Sequence, residues 1–251
     1  LKIGWDDPLP SIILEQWKRW LVDLPLIEGV CVPRCIKPAH CDAIKAELHH
    51  FCDASERAYG AVSYLRITDT NGHNHCTFMM ARAKLAPLKT TTIPRLELAA
   101  AVVAVKLDKL IKLHIQLPLA ESIFWSDSMI VLQYLRNEDK QFHTFVANRV
   151  AVIQEQTTPS QWRHVDSASN PADDVSRGMT AQQLVHSDRW FGGPSFLLKE
   201  ENAWPAQPDF ESLQLQQDAE VKREQQVYAT DTTPMSDPID NLIARYSSWY
   251  K

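Results

Sequence analysis

The chain has 251 residues, 45% hydrophobic and 23% charged, with a formal net charge of -5. That length holds one large domain or one medium domain with appendages, and nothing in the total charge announces a nucleic-acid binder. Five cysteines, Cys31, Cys35, Cys41, Cys52 and Cys76, are odd in number and follow no apolar leader, which argues against a secreted disulfide framework and for a reduced, cytosolic setting. The acid excess is local: residues 199–251 carry ten Asp/Glu against five Lys/Arg, and the residues before them are balanced. No apolar run reaches the ~18 residues that a membrane span needs, so a soluble chain is expected. Cys31, Cys35, His40 and Cys41 invite a zinc reading, but no C-x-x-C pair and no second knuckle support it, and plain thiols are the expectation.

In chain order, Ile13, Trp17, Trp20, Leu21 and Leu24 recur at helical spacing before Pro25, which predicts an amphipathic helix packed by its apolar face. From Leu48 to Ile67 the composition turns to β-branched and aromatic residues, predicting two strands. Asn71-Gly72 marks a hairpin turn into a third strand near residues 76–83. Pro94, with Thr91 or Thr92 to cap, opens the clearest helix of the chain. A strand S-I-F-W-S-D follows, then S-M-I-V-L-Q-Y-L with apolar residues at helix spacing, a helix over residues 143–156, the short strand Q-W-R-H-V, and a helix opened by N-P-A-D-D-V-S-R and stopped at Gly178. The expected order is βββαβαβα, an α/β mixed sheet flanked by helices, with N- and C-terminal appendages. Beyond Gly178 a Trp/Gly/Pro-rich stretch gives way to a polar, Gln-rich one. A final apolar helix face, Ile239, Leu242, Ile243, Tyr246 and Tyr250, runs uncapped to Lys251, as expected of a slice of something longer.

Four carboxylates stand out: Asp53 in the first strand, Glu97 in the first turn of the long helix, Asp127 at the end of the fourth strand, and Asp173 at a helix start. In a mixed sheet, strand ends and helix starts converge on one edge. Clustered carboxylates repel and hold protons unless a cation lies between them. Two Mg²⁺ or Mn²⁺ ions, hard and oxygen-seeking, answer that need and imply phosphodiester hydrolysis. Taken singly, each acid has a plainer role: Asp127 as a helix cap, Asp173 or Asp174 at a helix N-terminus, Glu97 as a solvated charge. Lys84, Lys89, Arg95, Lys106, Lys109 and Lys112 lie around the long helix with Glu97 and Asp108 opposing them, forming either a phosphate track or a solvated face.

The stretches F-C-D-A-S-E-R-A-Y-G-A-V, I-P-R-L-E-L-A-A, F-W-S-D-S-M-I-V-L and N-P-A-D-D-V-S-R-G resemble the ribonuclease H domains of reverse-transcribing elements. The likeness is strongest to the Pol polyprotein of BEL/Pao-type LTR retrotransposons. G-W-D-D-P-L-P, W-K-R-W-L, R-W-F-G-G-P-S-F-L and W-P extend it over nearly the whole chain. The resemblance implies metal-dependent cleavage of the RNA strand of RNA/DNA hybrids, with Asp53, Glu97, Asp127 and Asp173 as ligands of two Mg²⁺ or Mn²⁺ ions. Asp173 rather than Asp174 matches the family's A-D-x-[LV]-S-R pattern. His164 is the candidate accessory histidine, although a plain strand histidine is the expectation. It also implies residues 1–45 as the tail of the polymerase connection, 46–180 as the nuclease, 181–208 as an ordered appendage, 209–236 as a linker and 237–251 as the start of a helix leading toward the integrase region. The partners are then the hybrid and the polymerase and integrase regions of one polyprotein, in a cytoplasmic particle or the nucleus. A catalytically silent binding or scaffold remnant of the same fold is the alternative. A strand-transfer integrase fits less well, because its Glu usually comes last.

Overall fold

The computed structural model describes residues 3–4, 6–32, 35–37, 43–139, 141–210 and 218–222. The chain divides into two compact units, Leu1–Val221 and Lys222–Lys251. Everything below concerns the first. His40, Cys41, most of the expected linker and the expected C-terminal helix lie outside the described residues.

Five strands form one sheet: β1 (Ala43–Ala54), β2 (Ala58–Asp69), β3 (Asn74–Leu85), β4 (Ile123–Ser126) and β5 (Trp162–His164), in the spatial order β3-β2-β1-β4-β5. The first three are antiparallel, while β4 runs parallel to β1 and β5 parallel to β4. The β2–β3 hairpin turns where Asn71-Gly72 predicts. Gly72 has φ +81, and the Asp69 carboxylate accepts from the backbone N–H groups of Asn71 and His73 at 2.8 and 2.9 Å.

The helices are α1 (Ser11–Asp23), α2 (Ile93–His114), α3 (Met129–Arg136), α4 (Thr144–Gln154), α5 (Ala172–Arg177), α6 (Ala181–Val185) and α7 (Asp188–Gly192). Both helical segments expected between β4 and β5 form, as α3 and α4, which the order βββαβαβα counts as one layer element. In α2, Thr92 occupies the N-cap position and Pro94 lies in the first turn.

As the central strand, β1 is buried on both faces. Its even-numbered residues from Ala46 to Cys52 face α2, and its odd-numbered residues from Glu47 to Asp53 face the opposite layer. The α2 side is packed by Leu98, Ala100, Ala101, Ala104, Phe124, Leu132 and Trp162. Alanines at the helix face let α2 lie close to the sheet. Within this layer His50 donates or accepts at Ser63 Oγ (2.8 Å) and Asp108 Oδ1 (3.0 Å), with Ser122 and Lys112 also on the Asp108 carboxylate.

The opposite face is covered by the chain after residue 171. Phe51, Tyr64 and Trp125 pack under Val175, Phe196, Leu197 and Trp204. Arg66 is buried there, paired with Glu47 at 2.7 Å, and donates to the carbonyls of Leu197 (2.8 Å) and Lys199 (3.1 Å). A buried cation is tolerable only with partners of this kind, and removing one costs about 3–5 kcal/mol. The Trp/Gly/Pro-rich stretch therefore completes the core over half the sheet.

The amphipathic helix expected near the N-terminus forms as α1, but none of its residues is buried. Trp17 and Trp20 are half exposed and stack on each other with ring centroids 4.9 Å apart. Periodicity reports an apolar stripe, not whether the same chain covers it. Among the described residues, no helix is long and apolar enough to cross a membrane, and Cys31, Cys35, Cys52 and Cys76 are free thiols.

Candidate active site

The parallel pairing of β1 with β4 sets up the site. Its register matches Cys52 with Ser126, so the next residue along each strand is an acid, Asp53 and Asp127. On its other side Asp53 is paired across β2 with Gly60. A Cβ at Gly60 would collide with the Arg82 carbonyl and lie 2.6 Å from Val175 Cγ1, so only glycine lets α5 come this close to the end of β1. The fully buried Asn170 holds the approach to α5. Its amide Nδ2 donates to the Cys52 carbonyl (3.1 Å), and its Oδ1 accepts from Ala172 N–H (3.1 Å).

Each acid has its own partner. Asp53 is 7% exposed and accepts from the Ser176 hydroxyl on α5. Glu97 Oε2 accepts from Ser128 Oγ at 2.6 Å, Asp127 Oδ2 from Ser167 Oγ at 2.6 Å, and Asp173 Oδ1 from Arg177 Nε. Ser128, not Asp127, caps α3, accepting from Val131 N–H. Glu97 stands in the second turn of α2 rather than its first, because the helix starts at Ile93.

The acids also act on one another. Burial pushes the Asp53 carboxyl up to about 6; the Ser176 bond holds it back, and the charges of Asp127 and Asp173 push it further. Burial likewise raises Glu97, with Ser128 opposing and the charges of Asp127 and Asp53 adding to the rise. Asp174 belongs elsewhere: its carboxylate is bound by Arg189 Nη2 at 2.6 Å, and its charge is felt at Tyr64 on the far layer. The first acid of the D-D pair thus acts on Asp53, while the second is turned to Arg189.

Among the described residues, no three His, Cys, Asp or Glu side chains converge closely enough to cage an ion as they stand. Asp53, Glu97 and Asp127 each accept from a serine hydroxyl, and Asp173 from a guanidinium. As a donor set they are all oxygen, which suits a hard divalent cation such as Mg²⁺ or Mn²⁺.

The basic residues around α2 divide in two. Lys84, Lys89, Lys106 and Lys109 are exposed. Arg95 is held by Glu220 and Lys112 by Asp108 at 2.8 Å. Asp108 does not oppose them on the surface, since it is 7% exposed and faces His50. Its burial opposes ionisation, but hydrogen bonds from His50, Lys112 and Ser122 outweigh that and hold its carboxyl at about 2. His164 ends β5, half-buried, with its backbone N–H and C=O both bonded to the Gln207 side-chain amide, at 2.7 and 3.1 Å. Cys31 and Cys35, half of the zinc reading, are exposed.

Sequence reading missed Asn170, Ser176, Ser128, Ser167 and Gly60. Ser176 and Asn170 flank Asp173 inside one short motif, and Ser128 follows Asp127 directly, so adjacency to an acid was the available signal.

A family model described as "Pao retrotransposon-like RNaseH-like domain" matches residues 1–128, which include Asp53, Glu97 and Asp127. No curated protein matches the chain. Among solved structures, RNase H1 from the halophilic archaeon Halobacterium salinarum NRC-1 is similar at 14% identity and a TM-score of 0.36, covering 53% of this chain and 95% of that one. The N-terminal RNase H domain of rv2228c from Mycobacterium tuberculosis aligns at 16% identity and a TM-score of 0.35, covering 57% and 99%. LC11-RNase H1, isolated from compost by a metagenomic approach and solved in complex with an RNA/DNA hybrid, aligns at 18% identity and a TM-score of 0.32, covering 56% and 99%.

Proposed function

The chain belongs to the Pao retrotransposon-like RNaseH-like domain family, and from that membership we propose that it is a metal-dependent endonuclease cutting the RNA strand of RNA/DNA hybrids during retrotransposon reverse transcription. The observation that carries the reading is the β1–β4 register, which sets Asp53 and Asp127 side by side, with the charge of Asp173 acting on Asp53 and those of Asp127 and Asp53 acting on Glu97. Its partners are the hybrid and the polymerase and integrase regions of the same polyprotein, in a cytoplasmic particle.

In this reading Asp53, Glu97, Asp127 and Asp173 hold two Mg²⁺ or Mn²⁺ ions. Such ions supply a water of lowered pKa and neutralise charge at the phosphodiester. Burial pushes the Asp53 carboxyl up to about 6, and a bound cation would favour its ionised form. Ser176, Ser128 and Ser167 hold the first three carboxylates in place, and Arg177 holds the fourth. Lys84, Lys89, Lys106 and Lys109 are free to meet phosphates, which select the duplex by shape and charge rather than by sequence.

The second reading, a binding or scaffold remnant, is favoured by the separate partners that each acid has found. One assay separates the two. A labelled RNA/DNA hybrid is incubated with the protein in Mg²⁺ and in Mn²⁺, beside duplex DNA, single strands and the Asp53→Asn variant. Hybrid-specific cutting that Asp53→Asn abolishes is expected. Hybrid binding without cutting, by a folded wild type in either metal at low salt, establishes the remnant instead.

A further inference from the structure

Arg95 is bound by an acid from far along the chain. Glu220, 125 residues away, takes its guanidinium with two parallel bonds, Nε to Oε1 at 2.6 Å and Nη2 to Oε2 at 3.0 Å. This fork is the geometry by which arginine holds carboxylate and phosphate alike. The Arg95 guanidinium also lies over the Phe145 ring, 4.9 Å from its centroid, and that of Arg149 lies over the same ring at 3.4 Å. Arg149 is half-buried on α4. Burial and the nearby charge of Arg95 both weigh against its cation, with Tyr59 as the neighbour that favours it. Two cations thus share one aromatic platform, Arg95 held by the Glu220 carboxylate and Arg149 donating to the Phe145 carbonyl at 3.0 Å.

That carboxylate is held by a short strap. The Tyr134 hydroxyl donates to Asp218 Oδ2 at 2.8 Å, Glu220 N–H closes back onto Asp218 Oδ1 at 2.8 Å, and His143 N–H donates to the Glu220 carbonyl at 2.8 Å. Val221 forms an isolated antiparallel bridge with Phe142 and packs against the core below. Glu220 itself is 8% exposed. Arg95 stands two residues before Glu97 on α2, on a different face of the helix.

We propose that Arg95 and Arg149 over Phe145 form a phosphodiester-binding site for a strand of the hybrid, and that the Asp218–Val221 strap closes it with the Glu220 carboxylate standing where a phosphate binds. The inference rests on the nucleic-acid reading above. A tethered anion competes at a high effective concentration, so the strap weakens binding of any free strand. Opening the strap frees the Arg95 guanidinium from its carboxylate, over the ring it shares with Arg149.

The test is binding of a fluorescein-labelled RNA/DNA hybrid by the full chain in EDTA, read by anisotropy, so that no cleavage intervenes. Glu220→Gln is expected to tighten Kd roughly five-fold at low salt. The gain disappears in an Arg95→Gln background, whereas Glu121→Gln, which neutralises an exposed acid elsewhere, has little effect. Tyr134→Phe, which removes the strap's anchor and no charge, also tightens binding. The proposal is overturned if Glu220→Gln leaves Kd unchanged or weakens it, if its gain persists without Arg95, or if no variant binds. Should Glu220→Gln unfold the protein, Tyr134→Phe decides by the same criterion. Cleavage in Mn²⁺ is scored separately. Tightened binding without cutting sinks the nuclease reading and leaves the site standing, and cutting with unchanged binding does the reverse.

Discussion

The Ser176 hydroxyl on α5 donates a hydrogen bond to the Asp53 carboxylate at the end of β1, joining residues 123 positions apart. That bond opposes the rise of Asp53 caused by burial. Ser176→Ala removes the donor from a buried carboxylate, at a cost of about 1–3 kcal/mol. It also lets the Asp53 carboxyl rise further. Because the acid works ionised, the acidic limb of the pH–rate profile for hybrid cleavage shifts to higher pH. A variant that stays folded and keeps the wild-type limb removes Ser176 from the site.

At Gly60 the backbone itself is the obstacle. A Cβ there meets the Arg82 carbonyl and Val175, and neither the β2–β3 ladder nor α5 can retreat without loss. Gly60→Ala is expected to lower stability by about 3 kcal/mol, the scale of an overpacked core site. Urea unfolding monitored by circular dichroism reads it, and a change under about 0.5 kcal/mol contradicts the packing described.

His50 is buried and held neutral: burial lowers its pKa from the ordinary value, and Asp108 restores only part of it. A depressed folded pKa means that the stability from His50 is complete above about 6.5 and is lost as pH falls below that value. His50→Gln has no such proton to take up. The variant is less stable than wild type near pH 7.5, and the gap narrows towards pH 5.5. A gap that widens on acidification reverses the sign and means that the imidazole is charged in the fold.

Mg²⁺ or Mn²⁺ is expected to raise the thermal midpoint of the wild type. A ligand at a hundred times its Kd adds about 2.7 kcal/mol, or several degrees for a chain of this size. Asp53→Asn and Asp173→Asn lose the response. Asp174→Asn keeps it, because that carboxylate serves Arg189. Loss of the response in Asp174→Asn with retention in Asp173→Asn assigns the fourth acid the other way.

Much of the fold is legible locally. Strand periodicity, the Asn71-Gly72 turn and the Pro94 helix start depend on nearest neighbours, and each element forms where expected. The four acids were visible as charges out of place beside apolar strand residues. Their partners were less so: the serines that hold Glu97, Asp127 and Asp53 lie 31, 40 and 123 positions away, and although Ser128 and Ser176 sit near an acid in sequence, no local pattern says which distant acid each one holds.

By itself the sequence determined the kinds of element, their order, and the chemistry of the acids, since propensity and solvation act residue by residue. Only the tertiary structure decided that the charges of Asp127 and Asp173 act on Asp53, that Asp174 is turned to Arg189, and that Asp108 is an interior partner of His50. It also decided that the Trp204 region roofs the sheet while α1 lies uncovered, and that Glu220 reaches Arg95. These are contacts between distant segments, set by strand register and by which faces meet. A one-residue shift of β4 against β1 would separate Asp127 from Asp53 without changing a letter of the sequence.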